Sequence, residues 1–262
     1  MFPRRHTACE MRLTFTTSYI EFSVFFLPSC LLRHNLPCRQ HLSEGFAMAT
    51  TLILPGLYGS GDSHWQRIWA ADCPDCEVVE QENWACPDLL RWADVLERRL
   101  ADTQDAVHLV AHSLGCLLVA HLAASPVASR IRSAFLVAPC DMEAVETLHP
   151  CTVRLHRKPD IPLPFHSLVI GSENDPYMTR EKLLAQAAIW GSDVKILGRV
   201  GHINVASGFG RWRAGYELFN AFTHRLAEHT QGSNASPSTS QKPPRIDLLD
   251  AVVTSGLSAI AH

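Results

Sequence analysis

Ser113 stands in the pentapeptide Ala111-His112-Ser113-Leu114-Gly115, directly after the apolar run Val107-His108-Leu109-Val110 and ahead of Cys116 to Ala124, which reads as a helix. A serine at the apex of a strand, sharp turn and helix projects its Oγ above the sheet edge, and its flanking positions must be small for close packing. Ala111 is the smallest stand-in for the first glycine of G-x-S-x-G, and Gly115 keeps the second. The start of the helix also offers a backbone N–H, that of Leu114, to an oxygen that develops negative charge. A helix-capping serine is the plainer reading of the same residue. The strand-to-helix context favours a nucleophile.

A serine hydroxyl is a poor nucleophile near neutral pH and needs a base, with a third group to fix that base's tautomer. The apolar run Ser167–Ile170 ends in Gly171-Ser172-Glu173-Asn174-Asp175-Pro176, where Pro176 turns Asp175 away from helical conformation. Asp175 is the candidate acid, Glu173 its competitor, and Asp141 after the preceding strand a weaker one. His202 follows Gly201 in the loop after Asp193–Leu197 and is the candidate base. With 14 histidines in the chain, a single one says little. Order says more: Ser113, Asp175 and His202 follow one another along the chain, each at the carboxyl end of a strand, as a nucleophile elbow requires of its partners.

A second oxyanion donor is expected from the loop Leu54-Pro55-Gly56-Leu57-Tyr58-Gly59-Ser60-Gly61, whose glycines permit a backbone approach that side chains would block. Leu57 N–H is the chosen donor. Read as a phosphate cradle, the loop lacks a lysine at P-loop spacing and is not G-x-G-x-x-G. Cys73-Pro-Asp-Cys76 has the spacing of a redox pair or half a zinc site, but no second pair completes a tetrahedral shell. Cys116, one helical turn beyond Ser113, reads as a small core residue. No metal and no organic cofactor is expected.

The elements that must position these residues alternate. Strands are predicted at Thr51–Leu54, Glu77–Glu80, Ala106–Val110, Ser133–Val137, Ser167–Ile170 and Asp193–Leu197, each apolar enough for burial on both faces of a mostly parallel sheet. Between them lie helices. Leu89, Trp92, Ala93, Leu96 and Leu100 share one face of a helix opened by Pro87-Asp88, and Trp212, Tyr216, Phe219, Phe222 and Leu226 repeat the pattern.

A chain of 262 residues, 47% of them hydrophobic, supports one sizeable core rather than two domains. Its 23 basic and 26 acidic residues give no excess that would hold nucleic acid or an anionic membrane. Nine cysteines, an odd number without a repeating framework, read as reduced thiols in a cytoplasmic protein. Residues 1–47 stand apart: Arg4, Arg5 and Arg12 precede an apolar run, Tyr19 to Leu32, broken by Glu21 and Pro28 and too short for a spanning helix. They are expected to be a disordered extension or a mis-assigned start, with the domain beginning at Met48. The domain is placed at 48–228, and 229–262, polar and rich in Ser and Pro at first, is expected to be a flexible tail.

Four segments carry a resemblance. Leu-Pro-Gly-Leu-Tyr-Gly-Ser-Gly-Asp-Ser-His-Trp (54–65), Ala-His-Ser-Leu-Gly (111–115), Gly-Ser-Glu-Asn-Asp-Pro-Tyr (171–177) and Gly-His-Ile-Asn-Val-Ala-Ser-Gly-Phe-Gly-Arg-Trp (201–212) resemble the small serine hydrolases of the retinoblastoma-binding protein 9 and YdeN-like family, within the α/β-hydrolase superfamily. The resemblance covers 50–227 and implies a single-domain α/β-hydrolase fold without a large lid. It implies that Ser113, Asp175 and His202 act together, and it selects Asp175 over Glu173 because the family's acid precedes the proline. The expected activity is hydrolysis of a small carboxylic ester or related acyl substrate, with that small molecule as partner. A protein-binding relative without activity, and an amidase or peptidase, are the alternatives.

Overall fold

Apolar runs too short for helices and buried on both faces need helices on each side, and this chain supplies them in alternation. The computed structural model describes residues 49–149 and 160–233. In order these form β1 (Thr51–Leu54), α1 (Trp65–Asp72), β2 (Cys76–Val78), α2 (Leu89–Ala101), β3 (Val107–His112), α3 (Leu114–His121), β4 (Ile131–Val137), α4 (Met142–Leu148), β5 (His166–Gly171), α5 (Arg180–Trp190), β6 (Asp193–Ile196) and α6 (Arg213–Ser233). A short 3-10 turn, Leu57–Gly59, follows β1. The six strands lie in the order β2-β1-β3-β4-β5-β6, and every neighbouring pair is parallel.

Side chains alternate across a strand, and that alternation divides the core into two layers. Leu52, Leu54, Leu109, Ala111, Leu136 and Val169 face one layer, which α2, α3 and α5 cover through Leu96, Leu118 and Trp190. Ile53, Val110, Phe135, Val137, Leu168 and Ile170 face the other, covered by Trp65 of α1 and Phe219 and Phe222 of α6. Full burial of each large side chain contributes roughly 1.5–3 kcal/mol. The layers hold the sheet's carboxyl edge rigid, and the candidate site stands on that edge.

Helix α2 packs the face expected of it: Leu89, Trp92, Ala93, Leu96 and Leu100 are buried, and Asp88 caps it by accepting from the Leu90 and Arg91 amides. Strand β1 has the expected bounds, and the other strands shift at one or both ends by one or two residues. Strand β3 runs two residues further, to His112, because its pairing with β4 continues to Val137. Helix α6 continues to Ser233, past the domain end expected at 228. Residues 1–48, 150–159 and 234–262 lie outside the described residues, and with them the expectations about the N-terminal extension and most of the C-terminal tail. Cys86 is disulfide-bonded, unlike the reduced thiols expected. Among the described residues no helix is long and apolar enough to cross a membrane.

Candidate active site

The ladder between β3 and β4 extends one step past β3, with Ser113 N–H donating to the Val137 carbonyl at 3.0 Å. The chain then reverses into α3 with Ser113 at φ 54° and ψ −119°. An L-residue seldom enters this region, and holding one there costs about 1–3 kcal/mol. Such a turn leaves room for nothing larger than hydrogen nearby. A Cβ on Gly115 would drive into the carbonyl oxygens of Leu54 and Pro55, and one on Gly56 would come within 2.8 Å of Ser113 Cβ and 3.2 Å of Leu114 N. The loop after β1 therefore presses on the elbow. Leu57 and Leu114 each open a helical turn, so neither amide has an acceptor within its own turn.

His202 Nε2 lies 3.0 Å from Ser113 Oγ, and its Nδ1 lies 2.8 and 2.9 Å from the two carboxylate oxygens of Asp175. A carboxylate only accepts, so Nδ1 carries the proton and Nε2 offers a lone pair to the serine hydroxyl. Ser113, His202 and Asp175 are 7%, 6% and 8% exposed, respectively. Asp175 Oδ1 also accepts from the Tyr177 amide at 2.9 Å. The loop that bears His202 is tied down locally: Ser207 Oγ accepts from the His202 amide at 3.0 Å, and Asn174 Oδ1 accepts from the Gly201 amide at 2.9 Å. Gly201 has φ 64°, and a side chain there would strike Ser207.

The competing acids stand elsewhere. Glu173 is exposed, and its amide donates to the Gly198 carbonyl at 2.8 Å. Asp141 pairs with Lys182. Cys116 is fully buried; burial pushes its thiol well above the usual range, which removes the thiolate a nucleophile would need. Among the described residues no group of three or more His, Cys, Asp or Glu is arranged to hold a metal.

Four neighbours escaped the sequence reading. Gln66, fully buried, donates to the carbonyls of Leu54 and Val110 at 3.0 and 3.3 Å and accepts from Ser60 Oγ at 2.8 Å, which fastens the loop after β1 to the sheet. His112 Nε2–H donates to the His202 carbonyl at 2.9 Å, and its ring lies 4.9 Å from both the His202 and His64 rings. Burial, then the nearby His202, holds His64 down to about 4, so it is a neutral imidazole. Cys140, just past β4, is buried beside Ser113; burial pushes its thiol up to about 12, while a hydrogen bond with Ser113 pulls the other way. The parallel register of β3 and β4 predicts such a neighbour. It pairs His112 with Val137 and so brings the ends of the two strands together.

With this geometry in place, the relationships of the chain are direct. It belongs to the serine hydrolase family, whose model matches residues 51–221. Among solved structures, a YdeN-like hydrolase from Pectobacterium atrosepticum is 31% identical, with 68% of this chain and 92% of that one covered and a TM-score of 0.60. The ydeN gene product from B. subtilis is 19% identical over 67% of this chain and 99% of its own, with a TM-score of 0.53. Mouse alpha/beta hydrolase domain-containing protein 10 is 15% identical over 70% and 91%, with a TM-score of 0.50. These last two share the fold. A comparison with curated proteins returns no match. The fold is that of the α/β hydrolases, and the family is one of hydrolases.

Proposed function

We propose that the protein hydrolyses small carboxylic esters through a Ser113–His202–Asp175 triad and an acyl-enzyme. The observation that carries this reading is the unbroken hydrogen-bonded line from Ser113 Oγ through His202 to Asp175, at 3.0 and 2.8 Å. His202 takes the Ser113 proton as Oγ attacks the acyl carbon, and Asp175 orients the ring and stabilises the imidazolium. The amides of Leu57 and Leu114 receive the oxyanion; one such donor is worth about 10²–10³ in rate. His202 then gives its proton to the departing alkoxide. Water repeats the attack, releasing the acid and Ser113.

The test is labelling with a fluorophosphonate probe together with turnover of p-nitrophenyl acetate and of the matching acetanilide. Wild type is expected to be labelled and to cleave the ester, and Ser113→Ala to do neither. Labelling that survives Ser113→Ala moves the nucleophile elsewhere. Turnover of the anilide alone makes the protein an amidase, and a folded wild type inert to probe and both substrates is a binding protein.

A further inference from the structure

Three residues that the mechanism leaves unused meet in a line beside it. The Tyr58 hydroxyl lies 3.2 Å from His149 Nδ1, and His149 Nε2 lies 3.0 Å from the Tyr177 hydroxyl. Their rings also touch: Tyr58 meets His149 edge-on at 5.5 Å, His149 stacks on Tyr177 at 5.7 Å, and Tyr177 lies 4.4 Å from the His202 ring. A neutral imidazole has one N–H and one lone pair, so it bridges two phenols by donating to one and accepting from the other. Burial, then the nearby Asp175, raises the Tyr177 phenol above its usual range, which keeps its O–H in place for that bridge.

Each residue of this line is held by its backbone. Tyr58 is held at φ 65°, and its amide donates to the Trp84 carbonyl at 2.9 Å. Tyr177 is held by its amide on Asp175 and by its carbonyl, which accepts from the Asp141 amide at 2.8 Å. His149 sits just past the end of α4, its amide donating to the Val145 carbonyl at 2.9 Å. The line thus joins the loop that carries Leu57 to the ring of His202, the two sides between which the scissile carbonyl must sit. Ser113 is 7% exposed, and the buried Cys140 lies beside it.

We infer that Tyr58, His149 and Tyr177 form an arch that restricts the enzyme to short-chain acyl esters, with His149 the specificity-determining residue. This rests on the esterase reading above. The experiment compares kcat/KM for p-nitrophenyl acetate, butyrate and octanoate in wild type, His149→Ala and Tyr58→Phe, with fluorophosphonate labelling of each to verify a folded site. Wild type is expected to prefer acetate or butyrate. His149→Ala is expected to raise the octanoate-to-acetate ratio by about tenfold or more, the scale at which a pocket discriminates single methylenes. Tyr58→Phe, which keeps the ring and removes one hydrogen bond, is expected to raise it less; it carries the test if His149→Ala is not labelled.

A ratio unchanged within about twofold in the labelled variants overturns the arch, as does a wild type that already prefers octanoate. In either case Ser113-dependent turnover of the esters leaves the esterase reading standing. A wild type that turns over no ester overturns both.

Discussion

Two carboxylates stand two residues apart in the turn after β5, and they are not equivalent. Asp175 is buried with both oxygens on His202 Nδ1, whereas Glu173 is exposed to solvent. An amide at 175 presents an N–H toward Nδ1 and so favours the wrong imidazole tautomer. Asp175→Asn is therefore expected to lower kcat by about 10³–10⁴, and Glu173→Gln to leave the rate within about twofold. Equal losses in steady-state turnover would place the acid elsewhere. At this scale the sequence is legible where order along the chain carries the information: strand spacing puts Ser113, Asp175 and His202 at the ends of β3, β5 and β6. It is silent where the information is contact. Nothing about Gln66 announces that its amide will reach two carbonyls from different strands, and nothing about Cys140 announces a serine beside it.

An elbow is an element as well as a residue, and its strain is maintained by what surrounds it. Gly115→Ala drives a methyl into two backbone carbonyls, which have no rotamer through which to yield. A loss of about 1–3 kcal/mol is expected, read as a lower urea midpoint. Activity is expected to fall with it, because the displaced carbonyls belong to the residues leading to Leu57. An unchanged midpoint with full activity would show that the turn relaxes freely. The helices differ in how they announce themselves for a physical reason. Helix α2 has one wet face and one dry face and was legible from its period. Helix α3 is buried all round from Leu114 to Ala120, so no face stands out, and its start was read from the serine motif instead. Strands bedded between two helical layers are continuous apolar runs, which are easy to find but poorly bounded.

Three imidazoles buried in the domain link its stability to pH. Burial lowers His64 and His108 from 6.5 to about 4 and lowers His112 well below 6.5. The unfolded chain therefore binds more protons than the folded one between about 4 and 6.5. Stability from these groups is complete above 6.5 and is lost as pH falls toward 4. Urea midpoints are expected to fall between pH 7 and pH 4.5; a midpoint that holds or rises would mean the imidazoles are reached by water when folded. At this scale a parallel α/β architecture is legible because helix and strand periods alternate along the chain, and the resemblance narrows it to an α/β hydrolase; strand order is not legible, since periodicity does not say which strands are neighbours. That order also governs how the protein comes into being. Ser113 and His202 are 89 residues apart in sequence, and the strands that carry them, β3 and β6, are joined only through β4 and β5. Closing such distant pairings is slow. The proposed triad is therefore incomplete until β6 has docked, and the onset of ester turnover during refolding is expected to report that distant pairing rather than the first collapse.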